Sequence, residues 1–288
     1  MKRKWIKWVS WILLTPILLF VVLMILLYVP PVQNFLRKQA TAYASQATGM
    51  QINVGRIDLR FPLNLLVRDV EVIQAPDTLL TLASLNVHVQ AMPLFKGKIE
   101  VDDITIQRVT VNSANLIEGM QIRGVLGRFF LESHGVDLAN EAAVINRAEL
   151  SDTHIGLILA DTTTTEKPDT ASAPVNWKVN LHALNLKNVS FSMQLPADSM
   201  RMAAHVGEAT VNDVSADLKQ QFYGLRSFLL TGASVNYDTG SALPAEGFDP
   251  SHIALRDIRI GIDSVLYQGR NMNAVIREFS MNERSGLS

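Results

Sequence analysis

The chain has no cysteine among its 288 residues, and this absence excludes several classes of protein. Without cysteine there is no disulfide framework, no thiol nucleophile, no thiolate metal site and no lipid attachment through an N-terminal cysteine. The chain also lacks an excess of charge of either sign, because its 26 Lys and Arg residues are balanced by 27 Asp and Glu residues. A net charge near zero predicts neither a nucleic-acid partner nor an acidic substrate.

Motifs of catalytic chemistry are missing as well. The sequence contains no Gly-x-Ser-x-Gly elbow, no HExxH helix, no phosphate-binding loop and no glycine-rich dinucleotide turn. Its 6 histidines are scattered, and no two stand at the spacing of a metal-binding helix. The sequence therefore predicts a protein that is not an enzyme and that uses no cofactor or metal.

One long apolar run is present, at the N-terminus. No residue between Lys7 and Arg37 is charged, and most of Trp11 to Tyr28 is Leu, Ile, Val or Phe. A helix needs about 20 apolar residues to cross ~30 Å of hydrocarbon. We therefore predict a basic start and a membrane anchor in residues 1–31. The predicted anchoring side chains are Trp8, Trp11, Leu14, Leu18, Val22, Leu26 and Tyr28.

Basic residues decide the predicted orientation of this anchor. Lys2, Arg3, Lys4 and Lys7 all precede the apolar run. The positive-inside rule then keeps the N-terminus in the cytoplasm and exports the remainder. A cleaved signal peptide is one alternative, but its apolar region normally has about 7–15 residues. A buried core helix is the other.

Residues 32–49 predict a short amphipathic helix after the anchor. Pro30-Pro31 ends the membrane helix, because proline lacks the backbone donor, and Gly49 supplies the next stop. One apolar stripe at helical spacing is formed by Phe35, Leu36, Ala40, Tyr43 and Ala47. Such a helix either lies on the membrane surface or, more commonly, packs against the domain that follows.

From residue 50 to 288 the apolar residues recur every second position. Segments such as "TLASLNVHVQ" and "WKVNLHALNLKNVSFSM" alternate apolar and polar residues and contain many β-branched side chains. Residues 161–176 and 238–250 are rich in Thr, Pro, Asp or Gly and predict loops. Because long helices do not alternate with the strands, we predict a mainly β region.

A six-residue pattern recurs in this region. It consists of an apolar residue, any residue, Asp or Asn, an apolar residue, any residue, and an apolar or small one. The copies are "VRDVEV" (67–72), "VDDITI" (101–106), "LKNVSF" (186–191), "VNDVSA" (211–216) and "LRDIRI" (255–260). In each copy the apolar residues change parity at the Asp or Asn. A regular strand with this pattern would expose half of its apolar side chains to water.

A β-bulge at each copy would restore a common apolar face and bend the strand. Asp and Asn suit such positions because they tolerate left-handed backbone angles. The predicted bulge positions are Asp69, Asp103, Asn188, Asp213 and Asp257. A two-residue hairpin loop is the alternative, although such loops favour a glycine that these pairs lack. Chance recurrence of the six-residue pattern is the remaining alternative.

An apolar face that continues through repeated bends predicts a long antiparallel sheet curled into a groove, like a taco. The sequence has too few amphipathic helices to cover it, so a second sheet, closure into a barrel or lipid acyl chains must do so. The predicted groove-lining residues are Val70, Val72, Ile104, Ile106, Val189, Phe191, Met193, Val214, Leu218, Ile258, Ile260 and Ile262. On the residues alone, a dry core is the commoner role for such side chains.

Several segments of the chain resemble the AsmA-like superfamily, and within it the TamB family of translocation and assembly module subunits of the Bacteroidetes type. The segments are the helix ending at Thr48-Gly49, "INVGRIDL", "LLVRDVEVIQAPDTLLTLASLNVHV", "NLIEGMQIRGVLGRFF" and "DPSHIALRDIRIGID". Members of this type are much longer, so the resemblance implies an N-terminal portion.

The resemblance also implies a location and a function. It implies a single-pass protein of the inner membrane whose β-structure carries a hydrophobic groove through the periplasm. Such proteins act in outer-membrane biogenesis. They either conduct phospholipid acyl chains between membranes or act as a scaffold or chaperone for outer-membrane β-barrel assembly and translocation. The expected partners are membrane lipids and an outer-membrane barrel protein bound through a region not in this chain.

Overall fold

The computed structural model describes residues 29–60, 63–90, 93, 100–114, 116–137, 141–160, 176–240 and 243–286. Within these ranges no helix has both the length and the apolar character that crossing a membrane requires. The predicted anchor residues, Trp8 to Tyr28, lie outside the described residues, as does most of the loop predicted at 161–176. In the loop predicted at 238–250, the described residues after Asp238 form no strand.

The described chain is mainly β. It forms one α-helix, α1 (Pro30–Thr48), a short 3-10 turn (Pro196–Asp198), and a single large sheet. The strands of this sheet are β1 (Gln51–Arg60), β2 (Asn64–Gln74), β3 (Asp77–Val89), β4 (Val101–Asn112), β5 (Met120–Asp137), β6 (Ala142–Leu159), β7 (Lys178–Leu195), β8 (Met200–Asp217), β9 (Phe222–Leu225), β10 (Ser227–Asp238), β11 (His252–Gln268) and β12 (Asn271–Glu283).

The strands follow one another across the sheet almost in chain order. Neighbours run β1 to β8, then β10, β11 and β12, while β9 pairs with β8 and β11. All pairs are antiparallel except β6 and β7, which are parallel. The sheet is therefore mixed, where the sequence predicted an antiparallel one. Parallel neighbours need a long connection, and residues 160–177 provide it.

Helix α1 lies along the free edge of β1 and bonds to its backbone. Gln33 Nε2 donates to the carbonyl of Leu59 (3.0 Å), and the hydroxyl of Ser45 accepts from the amide of Ile52 (3.0 Å). Arg37 Nη1 donates to the carbonyls of Val54 (3.2 Å) and Gly55 (2.8 Å). An edge strand otherwise presents unpaired backbone groups to other chains. The helix therefore protects this edge.

The side of α1 that contacts β1 is polar. Phe35 and Tyr43, from the stripe predicted to be buried against a domain or a membrane, are 62% and 73% exposed. The helix packs against the sheet as the commoner alternative predicted, but through side-chain hydrogen bonds. Burial of Phe35 and Tyr43 is therefore not what holds the helix there.

Replacing Arg37 by alanine tests this attachment. Hydrogen bonds from a charged donor are worth about 1.5–3 kcal/mol when they are partly buried. We expect Arg37→Ala to speed amide exchange in β1 and to lower the free energy of unfolding by about 2 kcal/mol. The neighbouring Lys38 is exposed, so Lys38→Ala is the control. Equal effects of the two substitutions would contradict this role of Arg37.

Candidate functional site

A line of irregular backbone positions crosses ten strands of the sheet. It is called here the first kink line, and the pairing of each strand with its neighbours is interrupted at its position. The line consists of Gly55, Asp69, Ala83, Arg108, Gly127, Asp152, Asn188, Gly207, Gly232 and Asp257. Six of them have left-handed φ angles, from 51° at Arg108 to 63° at Gly232.

Glycine occupies the line where a left-handed residue of the next strand comes close. An added Cβ on Gly127 would lie 2.6 Å from the Cβ of Asp152, and one on Gly55 would lie 2.8 Å from the Cβ of Asp69. On Gly207 it would lie 2.9 Å from the carbonyl oxygen of Gly232. These glycines therefore allow close approach of two backbones. Their own φ angles are not left-handed.

A second kink line crosses β5 to β8 and β11, where strand pairing is interrupted at His134, Asn146, His182, Asp213 and Asp263. Asp213 has a φ of 49° and faces His182 on β7 and Arg226 between β9 and β10. Its carboxylate contacts His182 Nδ1 at 3.1 Å and Arg226 Nη2 at 2.6 Å. Further along, the β11–β12 pairing shifts on both sides of Ile262, and Arg277 bonds to Asp263 there at 3.3 Å.

Four of the five predicted bulge positions fall on these lines. Asp69, Asn188, Asp213 and Asp257 all have left-handed φ angles. At Asp69 the register with β1 is the same on both sides, as Val54↔Val70 and Arg56↔Arg68 show, so no residue is inserted. The pairing of Asn188 and Asp213 is likewise unshifted, whereas Asp257 lies at a register shift with both neighbouring strands.

Asp103 is the exception among the predicted positions. It pairs regularly with Glu132, its φ is not left-handed, and the register shift in β4 lies at the preceding Asp102. The left-handed residue of this strand is Arg108, in "IQRVTV". Asp152, in "LSDTHI", is another left-handed position that the pattern did not include. In both segments the apolar residues change parity at the left-handed residue. The six-residue pattern does not match, because Arg108 stands where it requires Asp or Asn and Thr153 stands where it requires an apolar residue.

Apolar rows run across the sheet on both sides of the first kink line. Two of these rows lie on one side of the line. The row nearer the line consists of Ile57, Val67, Leu85, Ile106, Phe129, Leu150, Leu186, Ala209, Leu230, Ile260 and Phe279. The row farther from the line consists of Leu59, Leu65, Val87, Ile104, Leu131, Ala148, Leu184, Val211, Phe228, Ile262 and Ile276. Across the line lies the row Ile52, Val72, Leu80, Val111, Gly124, Ile155, Phe191, Ala204, Val235 and Leu255.

These rows lie on one side of the sheet, called here the apolar face. In a regular strand, residues two apart share a face. Residues two apart on either side of the first kink line do not share a face. On β11, for example, Arg256 is exposed but Ile258 is only 7% exposed. Arg68 and Val70 differ in the same sense. The kink thus reverses the alternation and keeps the apolar side chains together. By this alternation, the predicted groove-lining residues that lie in strands are on the apolar face, whereas Leu218 follows the end of β8.

Within the described residues the apolar face is only partly buried. Substantial contacts between elements join only neighbours in the sheet, apart from those of α1 with β1. The described part of the chain has no large side chain that is fully buried, and the most buried apolar residues include Ala209 and Ala233. Ile155 and Phe279, on the apolar rows, are 45% and 60% exposed. The face therefore leaves apolar area open.

The opposite face is polar and forms its own hydrogen bonds. Asn64 Nδ2 lies 2.6 Å from His88 Nε2, whose Nδ1 lies 2.7 Å from Asp103. Glu149 on β6 contacts Arg128 on the neighbouring β5 at 3.2 Å and Arg147 on its own strand at 3.1 Å. Polar groups paired in this way are stable at a wet surface. The opposite face is therefore the richer in polar groups, although Val125 and Leu229 on it are 50% and 39% exposed.

Comparison of the chain with protein-family profiles and with curated proteins found no match. The geometry of the chain alone must therefore indicate its function. Within the described ranges, no three His, Asp or Glu side chains converge to bind a metal ion. What the apolar face offers chemically is extended apolar area at a water boundary.

Asp249 holds the segment that leads into β11, the strand that carries Ile258, Ile260 and Ile262. Its carboxylate accepts hydrogen bonds from the amides of Ala245 and Ser251 (both 2.9 Å) and contacts His252 Nδ1 at 3.0 Å. These bonds, first that from Ala245, lower the pKa of Asp249 to about 2. Hydrogen bonding to the charged form is the cause.

This lowered pKa makes a prediction about acid stability. Because the folded pKa lies below the ordinary value of 3.8, the contribution is present above pH 3.8 and is lost as the pH falls through about 2. We expect the thermal midpoint of Asp249→Asn to depend less on pH between pH 4 and 2 than that of the native chain. Asp238→Asn, at an exposed strand end, is the control. Identical pH profiles for all three would contradict the prediction.

Proposed function

We propose that this is an inner-membrane protein, anchored by its N-terminal apolar run, whose exported sheet curls into a groove that binds phospholipid acyl chains. In this proposal the groove conducts phospholipid between the inner and outer membranes and thereby serves outer-membrane biogenesis. The observation that carries the proposal is the apolar face, which continues across eleven strands and stays partly exposed within the described residues.

The kink lines support the curled shape. A residue with left-handed backbone angles turns the strand direction, and a line of such residues across the sheet turns all strands at the same level. The resulting groove runs across the strands. With strands about 4.8 Å apart, eleven strands span roughly 50 Å. This length exceeds the ~30 Å of a bilayer's hydrocarbon, so an acyl chain fits along it.

The exposure of the apolar face favours a lipid guest over a dry core. Protein interiors are close-packed, and large core side chains are normally fully buried. Here most residues of the apolar rows are partly exposed and none of their large side chains is fully buried, so a hydrocarbon guest gains about 0.8 kcal/mol for each CH₂ that it buries. Polar head groups remain in water at the rim. Sliding of lipid along such a face needs no catalytic residue.

Photo-crosslinking tests the proposal at single residues. A photoreactive amino acid at Val72, Ile106, Phe191 or Ile260 is expected to give phospholipid adducts in membranes. Matched controls carry it one residue away on the opposite face, at Glu71, Thr105, Ser190 or Arg259. Lipid adducts from both sets, or from neither, would contradict the proposal. Adducts with outer-membrane barrel proteins in place of lipid would favour the scaffold function.

A further inference from the structure

Helix α1 presents one side to β1 and leaves its other sides open. The side chains that bond to β1, those of Gln33, Arg37 and Ser45, are half-buried. At about 100° per residue, Phe35 lies on the side of α1 away from β1, and Tyr43 lies on one flank. The two residues are 62% and 73% exposed. Among the described elements, α1 makes substantial contacts only with β1, so these rings have no partner there.

The directions of α1 and β1 decide which flank carries Tyr43. Helix α1 runs antiparallel to β1, because Gln33 bonds to Leu59 and Ser45 bonds to Ile52. The same two bonds show that the backbone groups of Ile52 and Leu59 point towards α1. In a strand of L-residues this direction fixes the face on which the two side chains lie, and both belong to the apolar rows.

The right-handed turn of α1 then orders its flanks. Tyr43 and Ala47 lie on the flank that adjoins the apolar face, whereas Asn34 and Lys38 lie on the flank that adjoins the opposite face. All four residues are exposed. The apolar face therefore continues past the first strand of the sheet onto the helix, at the end of the sheet nearest to the N-terminal apolar run.

The position of that run indicates what contacts the open side of α1. The run ends at Tyr28 and α1 begins at Pro30, so at ~3.5 Å per residue the helix starts within about 7 Å of the end of the run. Helix α1 contains Arg37 and Lys38 but no Asp or Glu, so it does not repel an anionic lipid surface. Aromatic side chains on such a helix bury their rings at the boundary between head groups and acyl chains.

We propose that Phe35 and Tyr43 lie in the surface of the membrane that the apolar run enters, and that α1 is the rim over which acyl chains pass onto the apolar rows at Ile52 and Leu59. This role of α1 rests on the proposed function, and it names the place where lipid enters the groove. An apolar surface that is continuous from the bilayer to β1 lets the acyl chain move without being exposed to water.

Fluorescence quenching by lipid tests the membrane contact. The native chain has no cysteine, so single introduced cysteines can carry an environment-sensitive fluorophore. The full chain is placed in vesicles of phosphatidylcholine and phosphatidylglycerol whose acyl chains carry a quencher. We expect labels at Phe35→Cys or Tyr43→Cys to be quenched at least about threefold more than labels at Asn34→Cys or Lys38→Cys. Equal quenching at all four positions would overturn the proposal. Disulfide-linked dimers of unlabelled Tyr43→Cys, without quenching of its label, would also overturn it and assign this side to a second copy.

Charge substitution tests the passage of lipid over the rim. In these vesicles, the double variant Phe35→Asp with Tyr43→Asp should lower phospholipid adducts from a photoreactive residue at Val72 by about fivefold or more, because a carboxylate resists transfer into apolar surroundings. Lys38→Asp changes the net charge by the same amount and should leave the adducts unchanged. Phospholipid presented in detergent micelles should form adducts equally with the native chain and both variants, because it reaches the apolar rows without crossing the rim.

Failure of the proposed function gives a different result from failure of the rim. If the native chain forms no lipid adducts at Val72 from vesicles or from micelles, the proposed function fails, and the rim fails with it. If the native chain forms adducts from vesicles and the double variant forms as many, only the rim is overturned.

Discussion

Gly127→Ala is expected to lower the free energy of unfolding by about 2–3 kcal/mol. The added methyl group would lie 2.6 Å from the Cβ of Asp152 and 2.8 Å from its carbonyl oxygen. Real carbon atoms do not approach so closely, so one of the two strands must move away from the first kink line. Forcing a methylene into a closely packed site costs about 1–3 kcal/mol. Chemical unfolding of the full chain measures the loss.

A neighbouring glycine provides the matched control. An added Cβ on Gly124, three residues earlier on β5, would be 3.3 Å from the carbonyl oxygen of His154. That contact needs only a small adjustment, and we expect Gly124→Ala to cost less than about 1 kcal/mol. In the Gly127→Ala background, Asp152→Gly removes the facing Cβ and keeps a left-handed residue at no steric cost. The double variant should recover part of the stability; equal losses from both alanines would contradict the packing argument.

Most of what the sequence could predict about the kinks came from the parity of its apolar residues, that is, from whether they occupy odd or even positions along a strand. A change of apolar parity requires a backbone irregularity whatever its geometry, and four predicted positions do have left-handed φ angles. The mainly β class followed from the same alternation. The pattern could not tell an inserted residue from a left-handed one, because both reverse the alternation. Only the facing strand decides between them, since Gly55 makes room for Asp69 without a shift of register.

Strand order and edge protection could not be predicted in the same way. The parallel pairing of β6 with β7 depends on where the chain returns after residue 160, and local periodicity does not record this. The bonds of Arg37 to β1 depend on a polar residue in a helix whose apolar stripe predicted a different contact. The register shifts around Ile262 likewise emerge only when β12 is aligned with β11.

Ile155→Asp is expected to abolish phospholipid adducts from its neighbour Phe191 and to lower lipid occupancy more than tenfold. Ile155 pairs with Phe191 and Gly124 on an apolar row across the first kink line. Because it is already 45% exposed, the substitution should cost little folding energy in the empty protein. A carboxylate beside an acyl chain must lose water, and burying an unpaired charge costs several kcal/mol.

The adjacent residue separates a specific block of lipid from a general effect of charge. His154 lies on the same strand, is exposed, and belongs to the opposite face. His154→Asp introduces the same carboxylate one residue away and should leave lipid adducts from Phe191 unchanged. Recovery of lipid by Ile155→Asp at a pH that protonates the new carboxyl group would strengthen the assignment, because the neutral acid is far cheaper to bury. If both variants bind lipid as the native chain does, acyl chains do not lie along this row and the proposed function fails.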